Sequence, residues 1–264
     1  MTPGSDRRCS GPLRVASLLV GVALVPSCSL RDLHYLDSET GPADGASGGI
    51  SFVQVRSSLV GPVATASLSF DSDVGAHHAI VVAFDFNYAN ETGQVLSKIT
   101  DTLGSDYTTI IGDIEGNTMT SYLAVALDTR SGPDTVTVTL AKPSAGEFHV
   151  AVLEYAGIAL TDALDATSYM SGRTSGTDSM SSGSATTHAA SELIFGFGDT
   201  GITTTPRVVH AGTGFSAHVD PHGDATTDNV TEDRVVTMAG SVSAQASMVS
   251  GLDWTMFMAT FRGQ

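Results

Sequence analysis

Histidine and aspartate alternate in one short segment of the chain. His218, Asp220 and His222 are separated by single residues, so on an extended strand their side chains would share one face. Imidazole and carboxylate together suit Zn²⁺ or another transition metal. Pro221 and Gly223 interrupt the segment, however, and favour a loop in which the alternation is lost. The segment therefore predicts either a metal site or a set of solvated loop histidines.

Acidic loops supply a second candidate ion site. Asp71 and Asp73 lie in one short turn, and a further acidic run extends from Asp220 to Asp233. Carboxylate oxygens are the ligands that Ca²⁺ prefers, although neither loop has the spacing of an EF-hand. No cofactor is required by any motif, and Ca²⁺ is the ion that these loops favour. The alternative is that the acidic residues serve solubility alone.

Glu154 is a carboxylate in an otherwise apolar run. It has the same parity as Val150 and Val152, so we expect it on the buried face of a strand. A buried carboxylate needs a cation or several hydrogen-bond donors, and Arg262 or the backbone amides near Gly157 are the candidates. Because the sequence positions no second carboxylate beside it, a structural role is favoured over acid–base catalysis.

Two stretches match enzyme motifs by letters but not by context. Residues 45–49 match G-x-S-x-G, but a nucleophile elbow needs a strand before it and a helix after it. Residues 196–201 match G-x-G-x-x-G, but a dinucleotide site needs a helix to follow, and Pro206 with β-branched neighbours follows instead. We interpret residues 196–201 as a glycine-rich turn and predict no catalytic residue.

Aromatic side chains are the usual platforms for sugar rings, and this chain has few of them. It contains one Trp and 6% aromatic residues in all. Trp254 opens an apolar run and is expected in the core. Tyr88, Tyr107 and Tyr169 lie near predicted turns, so they are the candidates for contact with a ligand.

The composition excludes some partners. The 264 residues carry 12 Lys and Arg against 28 Asp and Glu, a formal net charge of −16. Such a surface repels the phosphates of nucleic acids and anionic lipids. With 41% hydrophobic and 15% charged residues, the chain is able to bury a core and does not have the composition of a disordered protein.

Short β-rich runs separated by Gly, Asp, Ser and Pro fill the chain from residue 51 onward, a pattern typical of strands joined by turns. In residues 135–140 Val and Leu alternate with Thr, so one face is expected in a core and the other in water. Residues 79–86 and 148–156 are apolar on both faces, as in central strands. We find no repeat of fixed period and, outside the N-terminal segment, no helical period. The sequence predicts an all-β, antiparallel two-sheet sandwich that is jelly-roll-like.

The first residues have the layout of an export signal. Basic residues precede the apolar run 15–25, which is shorter than the roughly 20 residues of a membrane-spanning helix. The run ends in Val-Pro-Ser-Cys28, which resembles the lipobox of bacterial lipoproteins. The resemblance implies that residues 1–27 are removed and that Cys28 is acylated, which would anchor the chain at the outer membrane or cell surface. An ordinary cleaved signal with an incidental cysteine is the alternative.

The remaining chain divides into a tether and a body. Residues 28–50 are rich in Gly, Ser, Pro and acidic residues and predict a flexible spacer. Residues 51–264 form the predicted sandwich domain. This domain contains residues 52–54, the turn 101–107, the strand end 154–157, and Gly240 leading to Trp254 and Phe261. In these features it resembles a group of secreted bacterial β-sandwich modules found in large surface proteins and adhesins. The resemblance implies a jelly-roll-like fold and no particular chemistry.

These observations predict a non-enzymatic lipoprotein that is anchored through Cys28 and presents a β-sandwich for adhesion, glycan contact or envelope structure. Its partners would be the lipid bilayer and a glycan or cell-surface protein, and not nucleic acid. The alternative is an anchored or secreted hydrolase that acts on polysaccharide with loop carboxylates. That alternative predicts two acids in one groove.

Overall fold

A computed structural model describes residues 49–87, 94–115, 119–173, 179–200, 209–218, 229–248 and 253–264, without the side chains of residues 113–115. Over these ranges the regular structure consists of β-strands, and no helix there is long and apolar enough to cross a membrane. Gly45–Gln264 forms one compact unit. The all-β class is therefore confirmed, whereas Cys28 and the rest of residues 1–48 lie outside the described part.

The described strands fall into two consecutive halves of the chain. The first half contains β1 (Ser51–Val60), β2 (Thr65–Ser69), β3 (Ala79–Asn87), β4 (Leu96–Thr100), β5 (Tyr107–Glu115), β6 (Met119–Ala126), β7 (Thr135–Leu140) and β8 (Phe148–Ala156). The second half contains β9 (Leu164–Arg173), β10 (Ser179–Ser181), β11 (Ala185–Thr186), β12 (Glu192–Thr200), β13 (His210–Ala211), β14 (Ser216–Ala217), β15 (Asn229–Val236), β16 (Ser241–Val242), β17 (Gln245–Ser247) and β18 (Asp253–Arg262).

Each half builds one five-stranded and one three-stranded antiparallel sheet. In the first half the order is β1-β8-β3-β6-β5 in the first inner sheet and β2-β7-β4 in the first outer sheet. In the second half it is β9-β18-β12-β15-β14 in the second inner sheet and β10-β17-β13 in the second outer sheet, with β11 and β16 forming an additional pair. When β11 and β16 are set aside, strands of the same rank along each half occupy the same positions in the sheets. The fold therefore contains the same arrangement twice.

Three apolar clusters separate four layers of sheet. One cluster lies between the two inner sheets and includes Val81, Leu153, Phe195 and Phe257. A second cluster fills the space between the first inner and first outer sheets, and a third fills the corresponding space in the second half. The sequence predicted one sandwich of two sheets. The antiparallel sandwich is confirmed, and the structure contains two of them packed through their inner sheets, because the central strands carry apolar residues on both faces.

Two strand predictions are confirmed in detail. Strand β7 alternates between buried Val or Leu and half-buried Thr, as its sequence pattern requires. Every residue of β3 is buried, and so is every residue of β8 except its last, because sheets cover both faces of these strands. The narrower description as a jelly roll stays a prediction.

Candidate functional site

A cleft of about 540 Å³ opens at one end of the first half. It lies where three connections meet, namely those between β2 and β3, between β4 and β5, and between β6 and β7. Its volume is within the usual range of small-ligand sites, roughly 300–1,000 Å³. We call it the His77 cleft. Its lining consists of Ala76, His77, Leu103, Gly104, Ser105, Asp106, Leu127, Asp128, Thr129, Arg130 and Ser131.

His77 and Asp128 give the cleft its most unusual geometry. Both have a left-handed backbone, with φ of 61° and 55° respectively, a conformation that is uncommon for residues other than glycine. His77 Nδ1 lies 2.6 Å from Asp128 Oδ1, and the backbone N–H of His77 donates to the carbonyl of Thr129 at 2.8 Å. These bonds hold two strained residues together at the surface. Such strain collects at functional sites, where the surrounding structure maintains it.

The opposite wall is held by Asp101. Its carboxylate accepts the backbone N–H of Ser105 at 2.9 Å and the hydroxyl of Tyr107 at 3.0 Å. The hydroxyl of Ser105 is buried and has no hydrogen-bond partner among the described residues. Such an atom is uncommon, because buried polar atoms are nearly always hydrogen-bonded.

The cleft combines one cation, two carboxylates and hydroxyls above aliphatic side chains. Arg130 Nη1 lies 3.5 Å from the carbonyl of Leu103, which leaves its other N–H groups for a ligand. Asp106 and Asp128 supply acceptors, and Leu103 and Leu127 supply an apolar floor. Mixed donors and acceptors of this kind can bind hydroxyl groups. The sequence did not single out His77 or Asp128, because no motif joins them.

A smaller groove of about 330 Å³ is lined by His218, the one described residue of the predicted zinc set, and by Asp71 of the predicted calcium set. Nε2 of His218 lies 2.7 Å from Asp233 Oδ2, and its ring stacks on Phe52 with centroids 3.7 Å apart. Tyr155 packs edge-on against both rings. Burial first, and then the charge of Asp233, raises the pKa of the Tyr155 phenol well above its ordinary value. Asp220 and His222 lie outside the described residues.

Asp71 and Asp73, the predicted calcium ligands, both lie on the surface. Asp71 forms an ion pair with Arg56. Within the described ranges, no three His, Cys, Asp or Glu side chains are grouped so that they could hold a metal ion. The zinc and calcium sites therefore stay predictions.

Glu154 lies on the predicted face of β8 but has other partners than expected. Its neighbours Val150 and Val152 belong to the core between the first inner and outer sheets, and Glu154 is fully buried. Its carboxylate accepts the backbone N–H of Gly75 at 2.8 Å, Nε2 of Gln54 at 2.6 Å, and Nδ1 of His78 at 2.5 Å. The expectation of Arg262 or the amides near Gly157 was wrong, because Arg262 instead pairs with Asp165.

The three candidate tyrosines are placed differently. Tyr107 packs against the apolar cluster of the first half, and burial followed by the neighbouring Asp101 raises the pKa of its phenol far above the ordinary value. Tyr169 is 53% exposed on strand β9, at the edge of the second inner sheet. Tyr88 lies outside the described residues. The structure does not bring Tyr107 and Tyr169 together in either cleft.

The G-x-G-x-x-G match has a packing explanation. Gly196 and Gly198 lie inside strand β12 rather than in the predicted turn. A Cβ on Gly198 would come within 2.7 Å of the sulfurs of Met180 and Met256, so the neighbouring side chains occupy the space. Of residues 45–49, the other motif, only Gly49 is described.

Comparison of the chain with protein-family models, curated proteins and solved structures finds no match.

Proposed function

We propose that this chain is an exported, lipid-anchored, non-enzymatic protein whose β-sandwich body binds a neutral glycan in the His77 cleft. The observation that supports the proposal is the paired, left-handed His77 and Asp128 at the mouth of a 540 Å³ cleft. Backbone strain collects at functional sites, and ligand binding would account for two such residues paired in one cleft.

The chemistry of the lining selects the ligand class. Arg130 supplies donors, and Asp106 and Asp128 supply acceptors. Sugar hydroxyls both donate and accept hydrogen bonds, so they match this set. The formal charge of −16 opposes acidic polysaccharides, which is why we propose a neutral glycan.

Export and anchoring rest on the sequence. The apolar run 15–25 ends at Cys28, and several acyl chains on one cysteine would anchor the protein stably. Mass spectrometry of the N-terminal peptide purified from membranes should find Cys28 as the first residue, carrying acyl chains. An unmodified Cys28, or a mature chain that begins elsewhere, would contradict this part of the proposal.

Glycan binding is tested with the full chain solubilised in detergent on a glycan array. We expect binding to neutral glycans, and we expect His77→Ala and Asp128→Asn to reduce it at least tenfold. Asp162→Asn is the matched control, because Asp162 is also left-handed (φ 51°) but does not line the cleft. Equal binding by the wild type and the cleft variants would refute the site, and no binding to any glycan would refute the ligand class.

A hydrolase is the second candidate, since Asp106 and Asp128 line the same cleft. Two carboxyls in one groove are the minimum for glycosidic cleavage. Release of reducing ends from a neutral polysaccharide by the wild type, and its loss in Asp106→Asn, would favour catalysis over binding alone.

A further inference from the structure

Two aspartates lie between the inner sheets, at the end of the strands opposite to the His77 cleft. Asp85 follows Val81 and Ala83 on the inward face of β3, and Asp199 follows Phe195 and Phe197 on that of β12. Their exposed fractions are 1% and 2%. Removing a carboxylate from water is costly unless it is paired or protonated.

The two aspartates occupy the same position in the two halves. Asp85 is paired with Ser121 on β6 and with His149 on β8. Asp199 is paired with Asn229 on β15 and with Thr255 on β18. Because β3, β6 and β8 correspond to β12, β15 and β18 in sheet order, the equivalence is a matter of register and does not depend on sequence similarity.

Each aspartate accepts a hydrogen bond from the other half. Ser121 Oγ donates to Asp199 Oδ2 at 2.5 Å, and Asn229 Nδ2 donates to Asp85 Oδ2 at 2.5 Å. Ser121 and Asn229 are themselves equivalent residues, so the two bonds are exchanged between the inner sheets. The hydroxyl of Thr255 and Oδ1 of Asp85 are buried without a hydrogen-bond partner among the described residues.

The groups facing the pair supply little positive charge. Nδ1 of His149 lies 2.7 Å from Asn229 Nδ2 and 3.6 Å from Asp85 Oδ2. On β18, beyond Thr255, Asp253 is paired with Arg173. Among the described residues, no lysine or arginine forms an ion pair with Asp85 or Asp199.

We propose that Asp85 and Asp199 form a proton-binding site, in which the two carboxyls together hold one proton at neutral pH and thereby join the two halves of the body. Two neighbouring buried carboxyls cannot both ionise without a counter-ion. Burial, followed by the charge of Asp85, raises the pKa of the Asp199 carboxyl well above its ordinary value, against the opposing hydrogen bond from Ser121. At high pH the proton passes to solvent, and repulsion between two carboxylates then opposes the packing of the inner sheets.

The direction of the pH effect follows from the raised pKa. A carboxyl that binds its proton more tightly in the folded state stabilises the fold most at low pH. This stabilisation is lost as the pH rises through the folded-state pKa. The amide in Asp199→Asn cannot ionise. The stability of this variant should therefore decline less at high pH than that of the wild type.

The experiment is a pH titration of the full chain in detergent, with ¹³C at the aspartate carboxyls. The Asp199 resonance, identified by its absence in Asp199→Asn, should titrate above the ordinary aspartate range. Should Asp199→Asn not fold, Asp85→Asn gives the assignment by difference, because the Asp199 resonance should titrate at a lower pH in this variant than in the wild type. Titration of Asp199 in the ordinary range would overturn the proposal.

A counter-ion other than the proton is the competing outcome. To test it, Ca²⁺ or Zn²⁺ is added to chelator-treated protein at neutral pH, and the melting temperature is measured. We expect no shift that depends on Asp199. A rise in melting temperature in the wild type and in the surface control Asp162→Asn, but not in Asp199→Asn, would show that a metal ion occupies the site and would refute proton sharing.

Discussion

Glu232 should make the stability of this protein fall as the pH rises through neutrality. Its side chain is fully buried on β15. Its carboxylate accepts the backbone N–H of Gly212 at 2.7 Å and that of Gln245 at 3.1 Å. Burial raises the pKa of the carboxyl from 4.5 to about 7, although these two hydrogen bonds oppose the shift.

The sign and size of the effect follow from the difference between the pKa of Glu232 in the folded state and its ordinary value. Because the folded state binds the proton more tightly than the unfolded state, the stabilisation is complete below pH 4.5 and is lost as the pH rises through about 7. At about 1.4 kcal/mol per pH unit, the interval from 4.5 to about 7 corresponds to about 3 kcal/mol at most.

The assay is urea unfolding of wild type and Glu232→Gln at several values of pH from 5 to 9. The substitution carries a constant cost, since the amide nitrogen faces a backbone N–H that the carboxylate had satisfied. The difference in unfolding free energy between wild type and variant should nevertheless change by up to about 3 kcal/mol in favour of the variant as the pH rises. Asp73→Asn, at an exposed carboxylate, is the control. A difference that stays constant with pH would refute the reasoning.

Two further substitutions test the packing. Gly198→Ala should lower the unfolding free energy by about 1–3 kcal/mol, because its Cβ would lie 2.7 Å from Met180 Sδ. Gly61→Ala meets nothing within 4 Å and should change little, as urea unfolding will show. Glu154→Ala should cost about 1–3 kcal/mol, since it leaves the half-buried donors around it without their acceptor, and thermal unfolding that matches wild type would contradict the network.

Strand predictions succeeded where a residue pattern was set by burial alone. Alternation identified β7, and apolar residues on both faces identified β3 and β8 as central strands. Strand β9 was missed because it is an exposed edge, with polar and small residues along most of its length. Its conformation comes from pairing with β18 rather than from its own composition.

The duplication of the fold left no repeat in the sequence. Strands β8 and β18 occupy the same place in their sheets, yet their sequences, FHVAVLEYA and DWTMFMATFR, share apolar character rather than residues. A core requires volume and polarity at a position, and many side chains supply both. The His77 cleft was equally hidden, because His77 and Asp128 meet only when two distant connections fold together.

The two halves differ at the cleft, and this difference supports a ligand site in the first half. His77 lies eight residues before Asp85, and the residue eight before Asp199 is Ser191. At this end of the second half the contacts are internal hydrogen bonds. The buried carboxylate of Glu192 accepts the backbone N–H of His188 at 3.2 Å and that of Ala189 at 2.7 Å. The two equivalent ends thus differ, because one contains a buried carboxylate that accepts backbone N–H groups and the other a left-handed His–Asp pair open to solvent. Since the second half forms the same sheet order without such a pair, the sheets do not require it, and this agrees with the ligand site proposed for the first half.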